Sequence, residues 1–464
     1  MKKPAATFRF APLLPSLLLA ACAAGPAPTP PDPALPADFH YAGGWQRADA
    51  APPEAAGPWW GPYGDPALDR LLRDVAEANA TLAQAEARHR QALTQIDAAR
   101  AGAWPNVEGS LGHTRSGGSA PGTRLYEARL QIGWTPDLWG RVALAAEAAD
   151  ADAGAAEASL AAARLALQIT AAQGYVRLRT LDLHDALFAR ALTAYERSLQ
   201  LTRRQYEAGL VARADVIQAE TQLQSVRTQR LAAARQRMLE ENALALLAGR
   251  TPAQLRLERR DASLPAVPAT PAQVPAALLV RRPDVAAAER QMAAANARIG
   301  IARRAWLPTL DVGAAGALQG GRWRELVDAP ARVWSLGPSL AALLFDGGAR
   351  RAEELRTQAL YDEQAQVWRA SVLQAVRETE DALASLQSLA EQDAQQRRLV
   401  ALAEENERVV TYRYEAGEVT FLEVASAQAL ALSSQRSALD VEAERLLASM
   451  QLIAALGGDW RPAP

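Results

Sequence analysis

Apolar and polar side chains alternate with a period of two in four segments, near 107–114, 126–135, 310–319 and 334–344. The clearest has Tyr126, Ala128, Leu130, Ile132 and Trp134 on one face. Because successive side chains of a strand point to opposite faces, the alternation predicts four strands, of which the first is the weakest. Strands of about ten residues with one apolar face suit a membrane barrel. Soluble hairpins packed on helices would show the same alternation.

Tryptophans lie at both ends of these segments, as in the aromatic girdles of membrane barrels. They are Trp104, Trp134, Trp139 and Trp306 at one end and Trp323 and Trp334 at the other. Four strands cannot close, and each unpaired backbone group at an open edge in lipid costs several kcal/mol. If the strands cross a membrane, several chains must therefore pool them. This argument leaves open whether two or three chains take part.

Two long segments contain no proline, from Gly140 to near Arg204 and from Gly348 to near Arg413. Their abundant alanine favours helix. At 1.5 Å per residue each predicted helix is about 100 Å long, which suits a protein that crosses a periplasm. Heptad spacing in the last predicted helix of the chain, at Leu432, Leu439, Leu446 and Ile453, predicts coiled-coil packing.

The chain repeats itself at an offset of 208 residues, which maps Tyr206-Glu207-Ala208-Gly209 onto Tyr414-Glu415-Ala416-Gly417. The same offset maps Asp215 onto Glu423 and Gly249 onto Gly457. The pattern predicts two copies of one unit, in the order helix, strand pair, very long helix, tight turn, helix. In the two turns, Gly209 and Gly417 permit the left-handed backbone that reverses a helix hairpin.

The first residues predict export from the cytoplasm. A positive segment and a short apolar stretch, typical of a secretory signal, end at Cys22, the only cysteine. The run Leu19-Ala20-Ala21-Cys22 resembles the lipobox of bacterial lipoproteins, which implies cleavage before Cys22 and covalent diacylglycerol and palmitate on it. An ordinary signal peptide with a chance cysteine is the alternative. The Pro- and Ala-rich residues 22–58 predict an extended tether.

Composition narrows the functional classes. The net charge of −2 gives no electrostatic footprint for nucleic acid. A single cysteine and four scattered histidines predict no metal site or cofactor, and no Gly-rich phosphate loop or nucleophile elbow is present, so we expect no enzyme. After the signal, no run approaches the roughly 20 apolar residues of a membrane helix.

The segment Arg281-Arg282-Pro283-Asp284-Val285, together with Leu344-Phe345-Asp346-Gly347-Gly348, resembles the signature of the outer membrane efflux protein family. The lipidated NodT-type branch that serves proton-driven RND pumps is the most similar. The resemblance implies an α+β membrane protein that forms a homotrimer. Its twelve-stranded β-barrel, four strands per chain, continues into a periplasmic α-helical coiled-coil tunnel.

The resemblance also implies the function and the partners. The expected function is that of a passive conduit exporting drugs or other small molecules across the periplasm and outer membrane. The expected partners are a periplasmic adaptor (membrane fusion) protein, an inner-membrane RND-type transporter and outer-membrane lipid. The alternatives are a lipid-anchored periplasmic coiled-coil scaffold and the outer-membrane channel of a type I protein secretion system. The exported substrate is not encoded in a recognisable motif.

In the resembled family the helix turns form a periplasmic gate. The resemblance places Tyr414 opposite Asp215 of a neighbouring chain and Glu423 in a lumenal ring of carboxylates. Ser426 and Val419 depart from the family pattern, which weakens the expected charge ring and one further contact. The alternative is that Asp215 and Glu423 are ordinary solvated carboxylates at helix starts.

The Arg-Arg-Pro-Asp segment has a structural interpretation. Pro283 fits the first turn of a helix, and Asp284 complements the positive end of the helix dipole. Arg281 and Arg282 are expected to pair with carboxylates and maintain the fold.

We divide the chain into five segments. They are a signal peptide, 1–21; the lipidated cysteine and tether, 22–58; a first repeat, 59–255, with strands near 105–136 and a tip near 205–215; a linker or equatorial region, 256–282; and a second repeat, 283–460, with strands near 308–345 and a tip near 413–423. Tyr206, Gly209 and Gly417 are the predicted turn residues.

Overall fold

The computed structural model describes residues 58–117, 123–260, 263–268, 282–328 and 330–459. The predicted signal peptide, the lipidated Cys22, nearly all of the tether and Arg281 lie outside the described residues, so their assignments stay predictions.

Two successive sets of elements follow the same order, which is the order predicted from the repeat. After a first helix α1, Pro66–Ala78, the first set comprises α2, Ala80–Ala101; β1, Asn106–Ser116; β2, Thr123–Trp134; α3, Arg141–Glu207; and α4, Arg213–Leu247. The second set comprises α5, Pro283–Arg304; β3, Thr309–Gly320; a short α6, Trp323–Asp328; β4, Ala331–Ala341; α7, Ala349–Glu415; and α8, Phe421–Ala455.

Corresponding helices have equal lengths. The helices α2 and α5 have 22 residues each, α3 and α7 have 67, and α4 and α8 have 35. The two predicted proline-free helices are confirmed to within a few residues at their ends. In the described residues, no helix is both long enough and apolar enough to span a membrane.

The four predicted strands, including the weakest, form one antiparallel sheet in the order β1-β2-β3-β4. In its register Leu130 of β2 lies between Gly109 of β1 and Gly316 of β3, and Trp334 of β4 lies opposite Gly316. Large apolar residues of this face are exposed, among them Leu111, Leu130 and Leu336. The sheet therefore presents an uncovered apolar surface.

The fourth strand lies three residues earlier than its alternation predicts, at Ala331–Ala341 instead of 334–344. It ends at Ala341, and Leu344 is 92% exposed outside the sheet. Ala341 pairs with Thr309, the first residue of β3, and the residue before it is Pro308. Because proline has no N–H to donate, the ladder stops there. The prediction that strand structure continues to residue 344 is wrong.

The segment between β3 and β4 contains the short helix α6. Its N-terminus is capped by Glu325, whose carboxylate accepts hydrogen bonds from the backbone N–H groups of Gly321 and Arg322. Trp323 packs edge-on against Tyr126 of β2, with 6.2 Å between ring centroids. The aromatic pair thus lies at the end of the sheet where the sequence places Trp323.

The described residues divide into two compact units that cut across the sequence repeats. One unit contains 92–153 and 290–367, including the whole sheet. The other contains 58–91, the described part of 154–289, and 368–459. Its largest apolar cluster buries Leu72, Tyr175, Leu446 and Met450. Each compact unit thus contains residues from both sequence repeats.

Candidate functional site

Each predicted helix turn is closed by a glycine in the left-handed region. Gly209 has φ 72° and Gly417 has φ 78°, which confirms both predictions. In the first turn, Leu210 donates its N–H to the carbonyl of Gln205 at 2.8 Å. In the second, Glu418 donates to Arg413 at 2.9 Å. These bonds satisfy carbonyls that the helix ends would otherwise leave free.

The two predicted gate carboxylates occupy corresponding first-turn positions with different local contacts. Asp215 accepts a hydrogen bond from the backbone N–H of Ala212 at 3.1 Å, which caps α4. Glu423, in the first turn of α8, is exposed, and its carboxylate forms no hydrogen bond or ion pair within the described residues. Of the two, only Asp215 has a structural task within its own chain.

Tyr414 is buried within its own chain. Its hydroxyl lies 3.1 Å from the Thr202 hydroxyl of α3, and its ring packs edge-on against Phe421 at 5.6 Å. Burial raises the pKa of Tyr414, the Thr202 hydrogen bond opposes this, and the negative charge of Asp215 adds to the rise. The Asp215 carboxylate therefore acts electrostatically on the Tyr414 hydroxyl of the same chain. The predicted contact between neighbouring chains stays a prediction.

The residues that depart from the family pattern serve the turn in other ways. Val419 is partly buried and packs against the apolar cluster that contains Tyr414 and Phe421. Ser426 is exposed, and its hydroxyl donates to the carbonyl of Leu422 at 2.8 Å. At these positions the chain therefore supplies packing and a local hydrogen bond.

In the described part of the Arg-Arg-Pro-Asp segment, the buried guanidinium of Arg282 forms ion pairs with partly exposed carboxylates. Pro283 begins α5, with Asp284 in its first turn, as predicted. The Arg282 guanidinium donates to Asp284 at 2.8 and 3.0 Å and to Glu378 of α7 at 2.8 Å. It also donates to the carbonyl of Ala455 at 3.0 Å. Arg282 thus ties the start of α5 to α7 and to the end of α8.

A buried ionic cluster was not predicted from the sequence. Asp182 of α3 pairs with Arg179 at 2.9 Å and with Arg237 of α4 at 2.5 Å. The two guanidinium groups also donate to the carbonyls of Glu258 and Leu257, at 2.7 and 2.6 Å. The cluster therefore fastens the segment after α4 to both helices. Arg179, Asp182 and Arg237 are spread over 59 positions of the sequence, where they cannot be told from the charged residues of a solvent-exposed helix face.

Both last helices end at a glycine of positive φ, Gly249 after α4 and Gly457 after α8. A Cβ at Gly249 would overlap the backbone carbonyl of Ala78, and one at Gly457 would touch Arg282. Each glycine therefore closes its repeat against the residues just before the first helix of that repeat. This shared close approach explains why the self-comparison finds glycine at both positions.

The comparisons with known proteins agree with this architecture. The model of the family described as outer membrane efflux protein matches residues 71–250 and 274–458. Pyoverdine export outer membrane protein OpmQ of Pseudomonas aeruginosa is 31% identical over 458 residues, covering 96% of this chain and 95% of its own length. Nodulation protein T of Rhizobium leguminosarum bv. trifolii is 28% identical over 456 residues, with 96% of each chain covered.

A solved structure shows the same fold. The outer-membrane channel OprN matches with a TM-score of 0.86 at 27% identity, covering 94% of this chain and 99% of its own. The two matches of the family model each contain one of the glycine turns. Together, these matches show that the chain belongs to the outer membrane efflux protein family.

Proposed function

We propose that three copies of this chain form one channel through the outer membrane, with a barrel of twelve strands to which each chain gives four. As a member of its family, the protein is an outer-membrane channel of a tripartite efflux pump. The observation that carries the assembly is the sheet. In the described residues, β1 and β4 each pair on one side only, and the sheet has an exposed apolar face.

Lipid makes such edges untenable in a single chain, since each unpaired backbone group costs several kcal/mol there. Pairing β4 of one copy with β1 of the next removes both edges. Two copies would give eight strands and three would give twelve, both within the range of known barrels. The resemblance to TolC-like channels favours three.

The helices support an assembly of several chains as a periplasmic tunnel. At about 1.5 Å per residue, α3 and α7 are each about 100 Å long. An apolar row on α4 is exposed and comprises Leu231, Met238, Leu239 and Leu246. Its spacing of seven to eight residues is that of a coiled-coil seam, which suits packing against a second copy.

The turns are the proposed contacts for a periplasmic adaptor, over 206–214 and 414–422. Leu210 and Tyr206 are exposed at the first turn and offer it an apolar surface. The inner-membrane transporter, of the RND type, supplies the energy, and the channel is a passive conduit for drugs or other small molecules. Asp215, Tyr414 and Glu423 form the proposed gate, in which a ring of three Glu423 carboxylates attracts cations.

The anchor is proposed at Cys22, with diacylglycerol and palmitate covalently attached. The support is the lipobox-like sequence that precedes Cys22. Several acyl chains together hold firmly, since each buried CH₂ contributes about 0.8 kcal/mol. Mass spectrometry of the mature N-terminal peptide tests this. An unmodified Cys22 would contradict the anchor and leave the channel proposal intact.

Two measurements on the purified protein in detergent test the channel. Light scattering coupled to size exclusion should give the mass of three chains, and two chains would overturn the trimer. In a planar lipid bilayer the protein should insert and conduct ions. If neither the wild type nor the gate variants Asp215→Ala and Tyr414→Phe conduct, a lipid-anchored periplasmic scaffold would be favoured instead. Glu423→Gln should lower the permeability of cations relative to anions, with the exposed Glu405→Gln as the charge-matched control.

A further inference from the structure

A cavity of 720 Å³ lies among α3, α7 and α8, beside the second turn. Its wall includes Ser198 of α3, Tyr414 of α7 and Gln428 of α8, whereas Asp215 and Glu423 do not line it. The volume falls within the range of small-molecule sites in proteins. The cavity is therefore large enough for a ligand and is separate from the proposed ring of gate carboxylates.

Two carboxylates line one side of the cavity. Glu404 and Glu407 are three residues apart on α7, so their side chains project from the same face. Glu404 accepts a hydrogen bond from Gln435, whereas the Glu407 carboxylate forms no hydrogen bond or ion pair with any described residue. Burial, together with the charge of Glu404, raises the pKa of Glu407. Of the pair, the Glu407 carboxylate is thus left without a partner among the described residues.

A residue with a buried, unpaired hydrogen-bond acceptor lines the same cavity. Gln428 is 4% exposed, and its amide nitrogen donates to the Ser198 hydroxyl at 3.2 Å. Its Oε1 is buried and has no donor among the described residues. Buried polar atoms of this kind almost always have a partner, so each exception calls for an explanation. Gln428, whose Oε1 lacks a donor, and Glu407, whose carboxylate lacks a partner, both line this cavity.

The cationic side chains of the wall do not fill this role. Arg408 pairs with Glu405, which lies outside the cavity. Arg197 of α3 is exposed at the rim and forms no ion pair within the described part of the chain. Arg197 is thus the one nearby group that competes with a ligand for the carboxylates.

We propose that this cavity binds a small organic cation with ammonium groups. Its charge pairs with Glu404 and Glu407, and one N–H donates to the Oε1 of Gln428. A flexible diamine suits the site, since neighbouring side chains three residues apart on a helix are about 5–6 Å apart at Cβ. The site goes beyond the conduit function, because the ligand occupies the wall of one chain.

The test is calorimetric titration of the purified full-length protein in detergent with 1,5-diaminopentane. The uncharged isostere 1,5-pentanediol is the ligand control. Wild type should bind the diamine and not the diol. Glu407→Gln should weaken diamine binding about tenfold, since a hydrogen bond to a charged group is lost. Glu391→Gln removes the same charge at an exposed position of α7 outside the cavity and should bind as wild type does.

Two further variants probe the acceptor and the competitor. Gln428→Met keeps the side-chain length, removes the orphaned carbonyl and should weaken binding severalfold. Arg197→Gln removes the competing guanidinium and should strengthen binding. Circular dichroism establishes that each variant keeps the helical content of wild type, and Glu404→Gln replaces Glu407→Gln if the latter does not.

Three outcomes would overturn the proposal: no diamine binding by wild type, equal binding of the diol, or equal weakening by Glu391→Gln and Glu407→Gln. The last would reduce the effect to diffuse attraction by an acidic surface. Bilayer conductance measured without diamine reports on the channel alone. A failed titration with normal conductance would therefore remove this site without touching the proposed function.

Discussion

Tyr206 and Tyr414 occupy the same place in the two helix turns, yet 42% of Tyr206 is exposed and only 4% of Tyr414 is. The backbones agree, with closely similar φ angles at Gly209 and Gly417. The difference lies seven residues after each tyrosine, where the first turn has Arg213 and the second has Phe421. Phe421 is 1% exposed and packs against Tyr414, whereas Arg213 faces solvent.

This comparison shows how a repeated backbone acquires two environments. One exchange of an arginine for a phenylalanine draws the second turn onto an apolar cluster that includes Leu187, Leu223 and Val424. The first turn keeps its tyrosine exposed, beside the exposed Leu210. The first turn is thus the more accessible to a partner, and the second is the more firmly held. Paired substitutions at matched positions test this division.

The largest effect is expected from Phe421→Ala. Loss of a fully buried phenylalanine costs about 3–5 kcal/mol, because its burial is lost and a cavity remains. Thermal unfolding in detergent, followed by circular dichroism, and hydrogen exchange at 414–424 measure it. The matched change Arg213→Ala should stay within about 0.5 kcal/mol, as exposed substitutions do. Equal losses would remove the proposed basis of the difference between the turns.

Gly417→Ala and Gly209→Ala should each cost about 1–2 kcal/mol, the strain of a left-handed residue that carries a Cβ. In both turns the added Cβ would meet nothing within 4 Å, so the cost is conformational and the same for both. Thermal unfolding of the two variants measures it. A clear inequality would show that the environment of the turn, as well as its backbone, sets the cost.

Asp215→Ala removes the carboxylate that accepts from the Ala212 N–H at the start of α4, and it should destabilise the protein by about 0.5–1.5 kcal/mol, the net contribution of one hydrogen bond. Glu423→Ala, at the corresponding position, removes no such bond and should be nearly neutral in the same unfolding experiment. If Asp215 also belongs to the gate, its substitution should raise single-channel conductance in a planar bilayer. A capping role alone predicts the stability loss with unchanged conductance.

Tyr414→Phe keeps the ring and removes the hydroxyl that meets Thr202, at a cost of about 0.5–1.5 kcal/mol. Tyr206→Phe should have no measurable effect on stability, because the Tyr206 side chain is largely exposed. The gate proposal adds that Tyr414→Phe raises bilayer conductance and Tyr206→Phe does not. If both variants conduct like wild type, the Tyr414 hydroxyl is not part of the gate.

Much of the fold follows from periodicity. The period of two located all four strands because each has one polar and one apolar face, and the absence of proline located α3 and α7. The end of β4 was missed because alternation continues past Ala341, whereas pairing stops opposite Thr309, next to Pro308. The alternation of side chains shows which face of a strand is apolar, but the length of the strand depends on where its partner strand can form hydrogen bonds.

The contacts of the candidate site were less accessible to sequence reasoning. The self-comparison found both tyrosines, and the exchange of Arg213 for Phe421 was visible at the same offset, so the burial of Tyr414 had a signal. The partner of its hydroxyl, Thr202, had none, because its counterpart at that offset is Val410. The ionic cluster at Asp182 likewise depends on α3, α4 and the segment after α4 coming together, which requires tertiary structure.

The sheet order β1-β2-β3-β4 has a kinetic consequence. Each chain can complete only the three internal ladders by itself, and the proposed closing ladder needs a strand from another molecule. Maturation of such a barrel is therefore not a first-order process. Its rate should rise with the concentration of chains at the membrane, and at low expression the open-edged protomer should accumulate, vulnerable to proteases and to pairing with foreign strands.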